Sequence, residues 1–183
     1  MSKNNRVCVF CGSSTGKNPA FTNQARKLGI GLASSHIDVV YGGGAIGLMN
    51  VVANAALSRG GRVHGVIPEH LSDLEIAHRN LTALHITDTM HERKAMMAEL
   101  SDAFIALPGG FGTFEELMEV ITWSQLDLHD KAVIMFNIDG YYDQLISFID
   151  HSVDNGFISP GNRSTLKVAR SVDECINFLP FHE

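Results

Sequence analysis

Short, mostly apolar runs alternate along the chain with turns and with longer amphipathic segments. The runs at 6–10, 38–41, 62–67, 84–87, 103–107 and 132–136 predict buried strands. The segments at 19–35, 47–59, 90–100 and 141–155, and the one that follows the loop at 108–113, predict helices. Residues 69–83 show neither pattern, and short elements at 166–168 and 172–178 close the chain.

Strand, turn and helix follow one another repeatedly in this order, which predicts parallel strands joined by right-handed crossovers. We therefore expect an α/β fold: a single Rossmann-like domain over residues 1–183, with a doubly wound, mostly parallel sheet and helices on both faces. Such sheets bind ligands beyond the carboxyl ends of the strands, where the strand order reverses. Glycine-rich loops follow the strands at 6–10, 38–41 and 103–107, so we expect them to share one crevice.

Composition and charge argue against several classes of protein. Of the 183 residues, 45% are hydrophobic and 19% charged, as in ordinary globular domains. No apolar run approaches the ~20 residues of a membrane span, and the N-terminus lacks a signal-peptide core. We therefore expect a cytoplasmic protein that binds no membrane. A net charge of −6 without a Lys/Arg cluster argues against a nucleic-acid partner.

The three cysteines suit a reducing compartment. Cys8 and Cys11 form a C-x-x-C, a pattern found in redox and metal sites. However, Cys8 lies within a predicted strand rather than at a helix start, and no second cysteine pair or nearby histidine completes a zinc site. We expect neither a metal nor a cofactor.

The glycine-rich loop at 108–112 is the strongest candidate for a binding site. It joins a predicted strand to a predicted helix and contains Gly109, Gly110 and Gly112. Glycines let a ligand approach the backbone, and the first N–H groups and the dipole of a helix favour a phosphate. The alternative is a tight turn without a ligand.

The helix after this loop offers a candidate acidic group. Phe114, Leu117, Met118 and Ile121 recur at helical spacing and predict its buried stripe. Glu116 lies on the flank of that stripe, near the expected phosphate. The alternative is structural: Thr113 and Glu116 match a T-x-x-E capping box, which needs no chemistry. The spacing alone does not decide between them.

The helix at 90–100 places a charge on its apolar face. Met90, Met96, Met97 and Leu100 define that face, and Arg93 falls in its middle. A buried guanidinium needs a partner, so we expect a ligand or a carboxylate such as Glu116 beside it, unless the side chain reaches water. Lys94 could reach a phosphate. The preceding Thr89 and Glu92 predict a capping box.

Two further loops are candidates for nucleotide contacts. Gly42, Gly44 and Gly47 form a G-x-G-x-x-G after a strand, with Glu69 about 20 residues on, which matches the dinucleotide fingerprint. That fingerprint normally follows the first strand. Here the first strand leads into residues 12–16, Gly-Ser-Ser-Thr-Gly, which suit phosphate or sugar hydroxyls. We favour a mononucleotide site spread over several loops over a dinucleotide site.

Two motifs together resemble a known family. Residues 90–94 (Met-His-Glu-Arg-Lys) and 108–116 (Pro-Gly-Gly-Phe-Gly-Thr-Phe-Glu-Glu) resemble the R-K and P-G-G-x-G-T-x-x-E signature of the Lonely Guy family. These are cytokinin riboside 5′-monophosphate phosphoribohydrolases, long mislabelled as lysine decarboxylases. The resemblance extends to residues 9–14, 41–44, 47–49 and 65–68, and so covers nearly the whole chain.

The resemblance implies a hydrolase that cleaves the N-glycosidic bond of adenosine 5′-monophosphate, plain or N6-modified, to a free base and ribose 5-phosphate. It implies that Arg93 and Glu116 are catalytic, that no cofactor is needed and that the chain forms a homodimer. Together the motifs give a set of substrate-binding and phosphate-binding residues: Gly12, Ser13, Gly43, Met90, Lys94, Gly109, Gly110, Gly112 and Thr113.

Two alternatives remain open. One is a non-catalytic carrier of a nucleotide or cofactor with the same fold. The other is a pyridoxal-dependent decarboxylase, for which the chain is short and offers no lysine in a convincing Schiff-base setting.

Overall fold

The computed structural model describes residues 5–72 and 77–181. Its strands are β1 (Arg6–Phe10), β2 (Asp38–Tyr41), β3 (Val63–Pro68), β4 (Ala83–Thr87), β5 (Ala103–Ala106), β6 (Ala132–Phe136) and β7 (Leu166–Ala169). Its helices are α1 (Pro19–Ser34), α2 (Gly47–Leu57), α3 (Glu69–Ser72), α4 (Met90–Glu99), α5 (Phe111–Gln125), α6 (Asp143–Asp154), α7 (Pro160–Thr165) and α8 (Val172–Asn177).

These strands form one parallel sheet in the order β4-β3-β2-β1-β5-β6-β7. After β1 the chain adds β2, β3 and β4 in turn on one side of it. The chain then crosses to β5, on the other side of β1, and adds β6 and β7 there. The predicted α/β, doubly wound fold is confirmed. The strand order reverses between β1 and β5, so the crevice expected for a ligand lies beyond their carboxyl ends.

The side chains of β1 alternate between two apolar layers. Val7 and Val9 pack into the layer that includes α1, α2 and α8, whereas Cys8 and Phe10 pack into the layer that includes α5 and α6. Cys8 and Cys11 therefore belong to different layers, and both are buried and form no disulfide. Among the described residues, no cluster of three or more His, Cys, Asp and Glu side chains could hold a metal ion.

The late part of the chain differs from the sequence prediction in two places. The helix predicted at 141–155 begins at Asp143, because a 3-10 turn at Ile138–Gly140 comes first, with Asp139 in the left-handed region at φ 51°. Helix α7 was not predicted. Its start carries the usual signals, since Pro160 is its first residue and the Ser159 side chain accepts a hydrogen bond from the Asn162 N–H.

The segment predicted to be irregular, 69–83, contains α3, and residues 73–76 of it lie outside the described part of the chain. Within residues 5–72 and 77–181, none of the helices combines the length and hydrophobicity that a membrane span requires.

Candidate active site

A cavity of about 210 Å³ lies at the carboxyl ends of β1, β2 and β5, where the strand order reverses. Loops after these strands and the inner faces of α4 and α5 form its walls. The cavity brings together seven of the predicted site residues: Gly12, Ser13, Arg93, Gly110, Gly112, Thr113 and Glu116. Cys11, Gly42, Met49, Met97 and Phe111 also line it, although the sequence did not single them out as site residues.

The loop between β5 and α5 presents bare backbone to this cavity. Helix α5 begins at Phe111, and its N-cap residue, Gly110, has no side chain to accept hydrogen bonds from the first turn. A Cβ added at Gly110 or Gly112 would meet no atom within 4 Å, whereas one at Gly109 would lie 2.0 Å from Thr113 Oγ1. Gly109 is therefore required by packing within the protein, and the other two glycines leave room for a ligand at the helix N-terminus.

The alternative that Thr113 and Glu116 form a capping box is excluded. The N-cap residue is Gly110, so Thr113 is already the third residue of α5 and is buried. The inward face is also rotated from the predicted stripe: Leu117 is buried as expected, but it shares that face with Thr113 and Val120, and Phe114 is only half-buried. This rotation turns Glu116 towards the cavity, and the helix start does not need Glu116 as a cap.

Two adjacent tyrosines donate hydrogen bonds to the backbone of the segment that joins β5 to α5. The Tyr142 hydroxyl donates to the Leu107 carbonyl oxygen at 2.6 Å, and the Tyr141 hydroxyl donates to the Gly109 carbonyl oxygen. Burial, reinforced by Tyr141, raises the pKa of Tyr142 far above its usual value, so its hydroxyl keeps its proton. Sequence reasoning missed both residues. They follow soon after β6, which neighbours β5 in the sheet, and this position could have indicated that they lie near the loop after β5.

Arg93 is held at the cavity by two backbone carbonyl groups. Its side chain is only 5% exposed, Nε donates to the Val66 carbonyl oxygen at 3.1 Å, and Nη2 donates to the Gly42 carbonyl oxygen at 2.8 Å. The expected partner of this buried charge was a ligand or a carboxylate. The carbonyl groups of Gly42, just after β2, and of Val66, within β3, supply part of its hydrogen bonding.

The start of α4, the helix that carries Arg93, is fixed by the capping box that the sequence predicted. The Thr89 hydroxyl accepts a hydrogen bond from the Glu92 N–H at 3.1 Å, and the Glu92 carboxylate accepts one from the Thr89 N–H at 3.3 Å. Such a box is worth roughly 1 kcal/mol and sets the helix register. Arg93 lies one residue after Glu92, so this register determines that its side chain points inwards.

The charges of Arg93 and Glu116 act on the same buried thiol, that of Cys8 in β1. Burial raises the pKa of Cys8 well above its ordinary value, the negative charge of Glu116 raises it further, and the positive charge of Arg93 opposes both. The thiol therefore stays protonated and inert. The two side chains that the sequence assigned to catalysis thus come from different helices and border one cavity.

Lys94, predicted to reach a phosphate, lies between α4 and α5 and outside the cavity lining. Its Nζ donates to the carboxylates of Glu115 and Glu119, the latter at 3.0 Å. Burial lowers the pKa of Lys94, but hydrogen bonding and attraction by these two carboxylates outweigh burial, so the pKa is raised and the amine stays charged. The ion pairs join the two helices that carry Arg93 and Glu116.

Three other predicted site residues also lie outside this cavity lining: Gly43, Met90 and Gly109. The Gly43 carbonyl oxygen accepts a hydrogen bond from the His78 N–H at 3.0 Å, and Met90 Sδ accepts one from Arg93 Nη1 at 3.7 Å. Gly109 borders a second cavity of about 290 Å³, which meets the first at Gly12, Ser13 and Gly110.

Contacts within the protein explain two glycines of the dinucleotide fingerprint. A Cβ at Gly42 would lie 2.1 Å from Arg93 Nη2, and one at Gly47 would lie 2.2 Å from the carbonyl carbon of Ser13. Gly47 also has a positive φ of 58°, which disfavours other residues. These two positions need glycine without any bound dinucleotide.

Comparison with known proteins gives one consistent group of relatives. A family model described as "Possible lysine decarboxylase" matches residues 49–179. The cytokinin riboside 5′-monophosphate phosphoribohydrolase LOG1 of Arabidopsis thaliana is 50% identical over 186 aligned positions, which cover 100% of this chain and 87% of the relative. A probable enzyme of the same name from Oryza sativa subsp. japonica, LOGL2, is also 50% identical, with 100% and 76% covered.

Solved structures with the same fold are more distant in sequence. The molybdenum cofactor binding protein from the phototrophic bacterium Rippkaea orientalis superimposes with a TM-score of 0.73 at 20% identity, covering 97% of this chain and 96% of that one. The molybdenum cofactor carrier protein from Chlamydomonas reinhardtii gives a TM-score of 0.71 at 19% identity, covering 96% and 95%. At this identity the similarity shows the fold alone.

Proposed function

The chain belongs to the Lonely Guy family of cytokinin riboside 5′-monophosphate phosphoribohydrolases, and we propose that it hydrolyses the N-glycosidic bond of adenosine 5′-monophosphate or an N6-modified derivative. Water is the second substrate, and the products are the free base and ribose 5-phosphate. One observation supports this activity above the others: Arg93 of α4 and Glu116 of α5 line a single cavity together with the N-terminus of α5.

In the proposed complex, the phosphate binds at the start of α5. The first-turn N–H groups and the helix dipole favour an anion there, and Gly110 and Gly112 leave the space for it. The Thr113 hydroxyl and the loop at Gly12 and Ser13 line the same end of the cavity and offer further hydrogen bonds. The phosphate would thus fix the position of the ribose along the helix.

Glu116 is the proposed catalytic carboxylate. Breaking the bond between ribose and base builds positive charge on the sugar ring, and a carboxylate beside the ring stabilises that charge and can direct the attacking water. Glu116 lies five residues beyond the first residue of α5, about 7 Å along the helix, which suits a ribose whose 5′-phosphate is bound at the N-terminus. In this proposal, Arg93 keeps Glu116 and the nucleotide correctly positioned relative to each other.

A decarboxylase, the activity in the family model's description, is not supported by the site. A Schiff-base lysine must lose its proton readily, which requires a lowered pKa. No lysine lines the described cavity, and Lys94, the lysine next to Arg93, has a raised pKa because Glu115 and Glu119 surround its amine.

The test of the proposed function is release of the base. Incubation with adenosine 5′-monophosphate, and separately with its N6-isopentenyl derivative, is expected to yield base and ribose 5-phosphate in equal amounts by liquid chromatography. Adenosine is the matched control, because it lacks the phosphate and should react at least about 100-fold more slowly, given the loss of that charged anchor. Tight nucleotide binding without any base would identify a carrier instead.

We also propose that the protein is a cytoplasmic homodimer. The three cysteines are buried and form no disulfide, which suits a reducing compartment. An apolar groove between α5 and α6, lined by Phe114, Met118 and Phe148 among others, lies open, with Phe148 65% exposed. Surfaces of this kind often mark protein contacts. Light scattering at micromolar concentration is expected to give twice the chain mass of 19.9 kDa, and a monomer would contradict the proposal.

A further inference from the structure

The guanidinium of Arg93 occupies the place that a side chain would take at residue 42. A Cβ built on Gly42 would lie 2.1 Å from Arg93 Nη2 and 3.2 Å from its Cζ. Contacts below 3 Å to a Cβ do not occur in folded proteins, and the guanidinium is buried, so it cannot simply swing into solvent. Any larger residue at position 42 must therefore displace the Arg93 head group.

Gly42 also supplies one of the two acceptors that orient this head group. Nη2 donates to the Gly42 carbonyl oxygen at 2.8 Å, and Nε donates to the Val66 carbonyl oxygen at 3.1 Å. Nε and Nη2 form one edge of the planar guanidinium, so two carbonyl groups fix both its position and its plane. Gly42 follows the last residue of β2 and Val66 lies within the adjacent parallel strand β3, so the sheet fixes where the two acceptors lie relative to each other.

Backbone geometry does not explain why residue 42 is a glycine. Gly43 and Gly47 have positive φ angles of 78° and 58°, which favour glycine, but Gly42 does not belong to that group. An alanine at position 42 is compatible with the backbone. The remaining close contact of the added Cβ is Met49 Sδ at 3.3 Å, the end of a flexible side chain that can shift.

We propose that Gly42 is a positioning residue for catalysis. Its lack of a side chain leaves space for the Arg93 guanidinium, and its carbonyl group orients that guanidinium at the wall of the cavity that Glu116 also lines. This inference rests on the proposed function, in which Arg93 holds Glu116 and the nucleotide in register. It assigns to Gly42 a role that acts only through Arg93. The first glycine of the G-x-G-x-x-G thus serves an arginine of the protein rather than a pyrophosphate.

A double-mutant cycle tests this assignment. Gly42→Ala is expected to lower kcat for adenosine 5′-monophosphate about 100-fold, a loss that displacing a catalytic group by about 1 Å can cause. In an Arg93→Met background, where no guanidinium competes for the space, adding Gly42→Ala should change kcat less than about threefold, because the two effects share one cause. Multiplicative effects in the double variant, or an unaffected Gly42→Ala enzyme, would overturn the proposal.

Two further measurements keep the cycle interpretable. Gly161→Ala is the control, because the nearest atom to its Cβ would be Ser159 Oγ at 3.8 Å. Its kcat should match the unsubstituted protein, and its thermal midpoint should be unchanged or slightly higher, because alanine favours a helix more than glycine does. If the unsubstituted protein releases no base, the proposed function fails, and the same cycle is then measured on the dissociation constant for adenosine 5′-monophosphate by calorimetry. Non-additivity there would still support the role of Gly42, and additivity would exclude it.

Discussion

Replacing Glu116 with glutamine is expected to lower kcat for base release by at least about 100-fold, because a neutral amide cannot stabilise the positive charge that develops on the ribose. The substitution keeps the size of the side chain. The helix start does not depend on Glu116, since the N-cap residue of α5 is Gly110 and no capping box forms. We therefore expect the free energy of unfolding to change by no more than about 1 kcal/mol. Steady-state kinetics and urea unfolding measure the two quantities.

The matched control for this variant is Glu115→Gln. Glu115 precedes Glu116 on the same helix but is exposed and paired with Lys94 on the outer side. Lys94 keeps its second partner, Glu119, in this variant, and the loss of one partly exposed ion pair costs roughly 0.2–1 kcal/mol of stability. We expect the Glu115 variant to keep kcat within about threefold, in line with such a small perturbation. A Glu116 variant that keeps more than a tenth of the activity would mean that Glu116 is not the catalytic carboxylate. A Glu115 variant whose kcat falls as far as that of the Glu116 variant would mean the same.

Replacing Arg93 with alanine is expected to lower both activity and stability. The loss of the guanidinium should cost at least about 100-fold in kcat/KM. It also leaves the carbonyl oxygens of Gly42 and Val66 without their buried donor, so the free energy of unfolding should fall by roughly 2–4 kcal/mol. Product assays at a temperature where circular dichroism shows a folded variant separate the two losses.

Arg93→Lys distinguishes charge from geometry. A lysine restores the positive charge, but its single ammonium cannot reproduce the planar edge that contacts both carbonyl groups. We expect it to recover part of the stability while remaining at least about tenfold less active than the unsubstituted protein, because the orientation is lost. Full activity in Arg93→Lys would show that only the charge matters, and full activity in Arg93→Ala would remove Arg93 from the mechanism.

Most strands were predictable, because each is a short apolar run with a clear boundary, whereas their order in the sheet was not predicted. The predicted bounds of β2 and β6 agree with the structure. Parallel strands buried on both faces leave this simple signal. A ligand crevice at the reversal of strand order followed from the same pattern, since alternating strands and helices restrict the topology to a few forms, and the structure places that reversal between β1 and β5.

Helix starts were harder to predict, because several signals competed within a few residues. Thr113 and Glu116 satisfied a capping pattern, yet α5 begins earlier, at Phe111, with Gly110 as its N-cap residue. The shift rotates the helix and changes which side chains are buried. A short element such as α7 has too few residues to show any periodicity, and only Ser159 and Pro160 marked it.

Contacts between distant parts of the chain could not be predicted from spacing. Arg93 was identified as a charge on an apolar face, but its acceptors lie 27 and 51 residues away, in Val66 and Gly42. The residues close to Arg93 in the sequence give no sign of these two contacts. The contacts of Lys94 could not be predicted for the same reason. Its acidic partners, Glu115 and Glu119, belong to another helix, and the packing of α4 against α5 brings them to Lys94.

The use of bare backbone at the start of α5 has a consequence for how this site can evolve. A substitution can remove a side chain, but it leaves the main-chain N–H groups of any residue other than proline in place. The proposed phosphate anchor is therefore protected from most mutations. Phe111 belongs to the same turn and lines the cavity, yet its ring is 91% exposed and free to vary. One short segment can thus keep its main-chain donors for the phosphate while the side chain at position 111 changes.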